Sequence, residues 1–258
     1  MCGIAAVLLY PQERTAEQWQ AILDIFTQNL VFNEERGQAA TGVAITSADG
    51  RVWVYKKALP ASKFVHMREY HEALSKIGPQ TTLLLGHTRL PTKGDPSING
   101  NNHPIQAGPV IGVHNGHIDN DDELFSRCGC ERTAEVDSEI IFRLIESINP
   151  AAMNGQYLDQ VCPLIRVMQG QYTFMVSDSR KPEQLLVLKH RNPLCIHFHR
   201  EWNALVFSSR YIFLRKAFGV ALVAEALEHN QLMLFNAYTI PKLGIAPRQT
   251  LPLYNRED

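Results

Sequence analysis

Residues 1–10 read MCGIAAVLLY. The stretch CGIAAVLL is a continuous apolar run of strand length with no alternating polar position, the pattern of a strand buried on both faces. A sheet covered on both sides needs a second layer above it and another below. The same stretch raises a chemical question, because Cys2 stands directly behind Met1 and Gly3 adds no bulk. Removal of Met1 would leave Cys2 with a thiol and a free α-amino group, whose pKa of about 7.7–8.0 keeps it substantially neutral near physiological pH. Nucleophile and base would then share one residue, as in N-terminal threonine nucleophiles. Read alone, the stretch also admits a small buried strand cysteine with no chemistry.

Outward from this strand, Trp19, Ile22, Leu23, Phe26 and Leu30 recur at helical spacing after the capping-box pattern Thr15-x-x-Gln18. GVAITSADGRVWVY is two strand-like runs around Asp49-Gly50, which predicts a hairpin. A helical stretch over 62–77 precedes the strand TTLLLGHTR, a Gly/Pro/Asn-rich loop over 91–109 and the strand PVIGVHNGHI. Helices are predicted over DSEIIFRLIESI and over 156–168; from 171 onward the chain is mostly short strands, QYTFMVS, QLLVLKH, LCIHFH, ALVFSS, ALVAEAL and LMLFNA. Many strands, several apolar on both faces, with helices in two groups, predict an α+β fold of two stacked sheets between helix layers.

With 258 residues, 45% of them hydrophobic and 20% charged, the chain is globular; no repeat, linker or low-complexity tract divides it, so residues 1–258 are expected to form a single domain. The 25 Lys and Arg against 26 Asp and Glu form no long blocks, so neither nucleic acid nor an anionic membrane is an expected partner. No apolar stretch reaches membrane-span length and the start lacks the basic region of a secretory signal, which makes a cytoplasmic location the expectation. The five cysteines, Cys2, Cys128, Cys130, Cys162 and Cys195, are scattered and odd in number, and are expected to be reduced thiols. Cys128-Gly129-Cys130 has no second pair at zinc-like spacing, and neither a metal nor a cofactor is expected.

Polar groups in otherwise apolar strand contexts mark the candidate site. Arg89 ends an apolar strand, where a guanidinium can grip a carboxylate through two parallel hydrogen bonds; a surface ion pair is the alternative. Thr92 offers a hydroxyl from the loop behind it. His103 in NNHP either orders that loop by hydrogen bonding, the favoured reading, or walls a pocket. Asn115 and Gly116 interrupt a strand and could offer a side-chain NH₂ and a backbone N–H to one oxygen, as an oxyanion hole requires; Asn-Gly is equally a favoured hairpin turn. Asp137 is placed either to cap the helix behind it or to hold an ammonium group. Together, a nucleophile with a built-in base, an oxyanion hole, a carboxylate grip and an ammonium grip describe acyl transfer from an α-amino acid bearing a side-chain amide, a description that glutamine fits.

The stretches MCGI, RGQAATG (36–42), GHTRLPTKG (86–94), NNHP (101–104), GVHNGHIDN (112–120) and VDSE (136–139) are similar, in order and approximate spacing, to the class II glutamine amidotransferase domains of the N-terminal-nucleophile hydrolase superfamily. The arginine and asparagine-glycine stretches resemble the glucosamine-6-phosphate synthase branch, and RGQ the amidophosphoribosyltransferase branch. DSRKPEQLLVLKHRNPLCI followed by LVFSSR resembles the second half of such domains, so the likeness spans about residues 2–240.

The resemblance implies a four-layer αββα sandwich in which Cys2 attacks the glutamine amide, forms a γ-glutamyl thioester and releases ammonia. By the same matching Arg89 would bind the glutamine carboxylate, Asp137 its ammonium, Asn115 and Gly116 the oxyanion, with Thr92 and His103 lining the pocket; Arg36 lies in a stretch that orders the site. Three positions depart from the family pattern: Ala39 replaces an acidic residue, Leu90-Pro91 an aromatic-alanine pair, and Lys93 a histidine. Family enzymes join this domain to one that accepts ammonia. The chain ends about eighteen residues past the resemblance, so a separately encoded synthase subunit is the expected partner. Two other readings of the residues stay open here: an amidohydrolase cutting another γ-glutamyl or small amide, and a non-catalytic glutamine-sensing subunit.

Overall fold

The opening strand β1 (Gly3–Leu9) is buried at every position, as its unbroken apolar run requires. The structure is a computed structural model and describes residues 1–153 and 155–254. After β1 come β2 (Ala40–Ser47), β3 (Val52–Lys57), β4 (Thr81–Arg89), β5 (Ile105–Ala107), β6 (Val110–Ile118) and β7 (Gly170–Asp178). They are followed by β8 (Gln184–Lys189), β9 (Cys195–His199), β10 (Ala204–Ser208), β11 (Glu225–Ala226), β12 (Gln231–Asn236) and β13 (Gln249–Pro252). The α-helices are α1 (Ala16–Asn33), α2 (Ala61–Phe64), α3 (Arg68–Leu74), α4 (Asp121–Cys128), α5 (Glu139–Glu146), α6 (Tyr157–Arg166), α7 (Tyr211–Phe218) and α8 (Ile240–Leu243).

The strands form two sheets, ordered β11-β9-β10-β1-β4-β2-β3 and β13-β12-β8-β7-β6-β5. Side chains alternate across β1: Ile4, Ala6 and Leu8 enter the core between the sheets with Leu83, Leu85, Val113, Met175 and Phe207. Ala5, Val7 and Leu9 face outward onto Ile22, Phe26 and Leu30 of α1, with Leu214 of α7 beside them. On the other side, Phe142, Ile145, Val161 and Ile165 of α5 and α6 cover Phe174, Val176, Leu186 and Leu188. The result is the four-layer αββα sandwich expected from the sequence, with β1 central in its sheet. No helix among the described residues is long and apolar enough to cross a membrane.

Helix α1 begins where the sequence places it. Thr15 Oγ1 accepts the Gln18 N–H at 3.2 Å and Gln18 Oε1 accepts the Thr15 N–H at 3.1 Å, closing the capping box. The hairpin around Asp49-Gly50 joins β2 to β3 in register. Other expectations are corrected. The single helix over 62–77 is two short ones, α2 and α3, and ALVAEAL contributes only the two residues of β11. Helices α4 and α7 lie where none was predicted. The expectation of reduced thiols fails at Cys128 and Cys130, whose sulfurs are bonded across Gly129, with Cα atoms 5.2 Å apart; Cys2, Cys162 and Cys195 are free.

Replacing Thr15 with Ala is expected to cost about 1 kcal/mol, since it orphans the Gln18 N–H of an exposed cap. Urea unfolding of Thr15→Ala against the parent reads this; an unchanged midpoint would mean that the docked face of α1 alone fixes where it starts.

Candidate active site

The head of β1 is held by groups from two other segments. Arg36 Nε donates to the Cys2 carbonyl at 2.6 Å. The Leu90 N–H points at Cys2 Sγ at 3.4 Å, just past the end of β4. Gly37 packs directly on the Arg89–Leu90 peptide, and the Ala39 N–H donates to the Arg89 carbonyl at 3.0 Å. The 36–39 loop is therefore tied to β4 through its backbone, so the missing acidic side chain at Ala39 takes no contact from this join. Cys2 itself is half-buried. Burial pushes its thiol above the ordinary value, against the pull of the Leu90 N–H, the chain's terminal ammonium and Arg89, while Asp137 adds to the push.

Arg89 is buried, which sets aside the surface ion pair. Its Nη1 donates to Asn102 Oδ1 at 2.8 Å, and its Nη2 to the carbonyls of Lys93 at 2.6 Å and Gly94 at 2.8 Å. Burial lowers its pKa, with Cys2 and Asp137 opposing, and a guanidinium remains cationic throughout the physiological range. The charge is thus fixed in place by neutral acceptors and keeps its full sign. Asn102 is a supporting residue that the sequence reading did not single out; its Nδ2 donates to the Pro96 carbonyl at 2.7 Å, so one side chain ties Arg89 to the loop. Lys93 does not enter this pocket. Its Nζ lies 2.6 Å from Asp121 and 3.3 Å from Asp122, where Arg132 also pairs, so the Lys93 departure pins the rim to the start of α4. Thr92 is exposed on that rim.

Asn115 and Gly116 lie inside β6, in register with Thr173 and Tyr172 of β7, which excludes the hairpin-turn reading. Asn115 is fully buried, and its Nδ2 donates to Ser209 Oγ at 3.1 Å, the same oxygen that accepts the Ile4 N–H at 2.7 Å. Ser209, in the LVFSSR stretch but given no role by the sequence, thereby connects the two sheets beside Cys2. Gly116 has φ of +132°, and a Cβ there would meet the Gln171 carbonyl oxygen at 1.7 Å, so the position admits only glycine. Because β5 pairs only with residues 110–112, the rest of β6 has a free outer edge. Ile118 donates its N–H from that edge to Asp137 Oδ2 at 2.7 Å, and strand alternation places the Gly116 N–H on the same edge.

Asp137 is not the side-chain cap of α5; the residue before that helix is Ser138, which makes no capping bond. The Asp137 carboxylate is buried, and burial raises its pKa, with the Ile118 N–H opposing and Asp121 reinforcing.

Behind these residues lie three buried histidines. His87 Nε2 bonds the His114 carbonyl at 2.9 Å, and His114 Nδ1 bonds Ser138 Oγ at 2.8 Å, tying the segments of Arg89, Asn115 and Asp137 together. The His103 ring lies tilted against His87, with centroids 4.3 Å apart. Neither of its nitrogens has a partner among the described residues, so His103 does not order its loop by hydrogen bonding. Burial, foremost, pushes His87 and His114 down to about 3 and His103 well below 6.5. Among the described residues no group of three His, Cys, Asp or Glu side chains is placed to hold a metal ion.

Fold and site together define a class II glutamine amidotransferase domain of the N-terminal-nucleophile type. The glutamine amidotransferase domain family model matches residues 87–216, and the chain belongs to that family. It is 28% identical over 207 residues to the glutamine–fructose-6-phosphate aminotransferase (isomerizing) of Clostridium acetobutylicum, covering 79% of this chain and 31% of that protein. Against the same-named protein of Escherichia coli it is 27% identical over 199 residues, 76% of this chain and 30% of the relative. The chain thus spans about a third of the length of these relatives. The solved structure of glutamine phosphoribosylpyrophosphate amidotransferase from B. subtilis, complexed with ADP and GMP, superposes with a TM-score of 0.70 at 18% identity, covering 98% of this chain and 49% of that one. At that identity the likeness concerns the fold.

The histidine cluster makes acid stability a test of this geometry. Folded values below 6.5 mean that the unfolded chain takes up protons which the folded one refuses. Stability is therefore full above about pH 6.5 and is lost as pH falls toward 3, by about 1.4 kcal/mol per pH unit for each histidine. Thermal unfolding between pH 7.5 and 5 should show a steep fall in Tm. A flat profile would mean that the three rings are solvated.

Proposed function

We propose that this chain hydrolyses glutamine through Cys2 and delivers the ammonia to an acceptor site on a synthase. The observation that carries the reading is the convergence at the head of β1: Cys2 Sγ against the Leu90 N–H, with buried Arg89, Asn115 and Asp137 supplied by other segments. With Met1 removed, the Cys2 amine takes the thiol proton as Sγ attacks the amide carbon of glutamine. The oxyanion is met by the Asn115 NH₂ and the Gly116 N–H. The ammonium returns the proton to the departing nitrogen, ammonia leaves, and water cleaves the γ-glutamyl thioester to glutamate. Arg89 takes the α-carboxylate and Asp137 the α-ammonium, with Thr92 at the rim and His103 in the wall behind. That Lys93 is spent on Asp121 and Asp122 supports glutamine over another γ-glutamyl amide, because the departure adds no new group to the pocket.

Ammonia freed into water is mostly protonated and no longer nucleophilic. We place its acceptor on a separate synthase subunit docked at the Cys2 end, where Leu90 is an exposed apolar side chain.

Intact mass of the purified chain, before and after a glutamine-mimicking electrophile, tests the reading. Loss of Met1 and one adduct on Cys2, blocked by glutamine, is the expected result; a processed chain that takes no adduct would sink it. Asn115→Ala should lower kcat by about 10²–10³-fold. The KM for glutamine should rise on acidification at a pH above the ordinary aspartate value of 3.8, as Asp137, its pKa raised by burial, loses its charge. A KM flat across that range would remove Asp137 from substrate binding.

A further inference from the structure

The N–H and C=O of a planar trans peptide point in opposite directions. Whatever holds the Asn115 carbonyl therefore sets the direction of the Gly116 N–H, one of the two donors of the proposed oxyanion hole. A side chain given no role so far holds it: Asn192 Nδ2 donates to the Asn115 carbonyl at 2.9 Å. Asn192 lies between β8 and β9 and is buried. Its own position is fixed from two sides. Thr173, the β7 residue in register with Asn115, donates from Oγ1 to the Asn192 carbonyl at 2.9 Å. Pro193 behind it biases Asn192 toward extended backbone. The fit is close, since a Cβ on Gly116 would come within 2.9 Å of Asn192 Nδ2. The glycine that φ of +132° demands thus also leaves the room that the Asn192 amide fills.

A hydrogen bond accepted by a peptide carbonyl polarises that peptide, strengthening its N–H as a donor by about 10–30%. It also fixes the N–H before charge develops, which is what gives an oxyanion hole its effect. The other donor, Asn115 Nδ2, has its own support in Ser209 Oγ, so the two donors are held independently. We propose that Asn192 is a positioning residue for glutamine hydrolysis, holding the Asn115–Gly116 peptide so that its N–H meets the oxyanion. It acts through that peptide, from the side of β6 opposite the free edge. The inference rests on the oxyanion hole proposed above.

The processed chain, lacking Met1, is assayed for glutamine turnover, Cys2 adduct formation and thermal unfolding. Asn192→Ala should lower kcat about tenfold and leave the KM for glutamine within about twofold, because the loss falls on the charged transition state. Placed on Asn115→Ala, it should cost the same factor again, since the Gly116 N–H survives in that background. An unchanged kcat with a lowered Tm would make Asn192 merely structural and overturn the proposal. So would a rise in KM alone, or an Asn192 effect that vanishes on Asn115→Ala. Should Asn192→Ala fail to fold, Thr173→Val decides: it removes the hydroxyl that anchors Asn192, and kcat should fall about threefold or more with KM held. A parent with neither turnover nor adduct overturns the glutamine reading and this inference together; an active parent whose variants keep their kcat overturns this inference alone.

Discussion

The pairing of β1 with β10 on one side and β4 on the other is the constraint from which the site follows. Gly3 sets the register. A Cβ at that position would lie 2.6 Å from Thr88 Oγ1 and 2.8 Å from Asn33, so neither Cys2 nor Ile4 can slip into its place. With Gly3 opposite Thr88, Cys2 falls beside Arg89; with Ala5 opposite Ser208, Ile4 meets Ser209. Asn33 at the end of α1 secures the same junction, donating to Ser208 Oγ at 3.0 Å while its carbonyl accepts from Thr88 Oγ1 at 2.8 Å. Three segments far apart in the chain are thereby brought to one point by a missing methyl group.

Satisfaction of polar groups is unusually incomplete near that point. Buried atoms without partners among the described residues include Arg36 Nη1, His87 Nδ1, both nitrogens of His103, His114 Nε2 and Asn115 Oδ1. Each such atom, where neither protein nor water meets it, costs about 1–3 kcal/mol. The apolar cores on either side, built from β1, α1, α5 and α6, supply the burial that carries this cost.

Where apolar runs were unbroken, the fold was legible: β1, β4 and β6 lie close to their predicted bounds, and α1 starts at its capping box. The misreadings have local causes. Helix α4, DDELFSRC, has charged side chains at half of its positions and buries only Asp121, Leu124 and Phe125, too few for a helical period. Helix α7, YIFLRKAF, buries only Phe213 and Leu214, which is too short a pattern to show a helical period. ALVAEAL is apolar yet sits at an exposed sheet edge, where pairing with β9 lasts two residues. Within the site, the sequence reading rested on residue types in apolar strand contexts, and Arg89, Asn115 and Asp137 are all buried. Their supports, Asn102, Ser138 and Ser209, carried no signal, because a serine or asparagine acquires such a role only from a neighbour the sheets bring to it.

The electrostatics bear on why a thiol so placed should need its own amine. Burial raises the Cys2 thiol, so little thiolate exists at neutral pH and a base must take the proton during attack. The nearby candidates are poor ones. His87, His103 and His114 are held far below 6.5 and accept protons reluctantly, and His87 Nε2 is committed to the His114 carbonyl. Asp137 is spent on the Ile118 N–H, and its charge disfavours the thiolate. On the proposed reading the remaining acceptor is the amine that removal of Met1 would create on Cys2 itself. An amine there needs no second residue to be positioned, and the ordinary α-amino pKa of about 7.7–8.0 suits a general base near neutral pH.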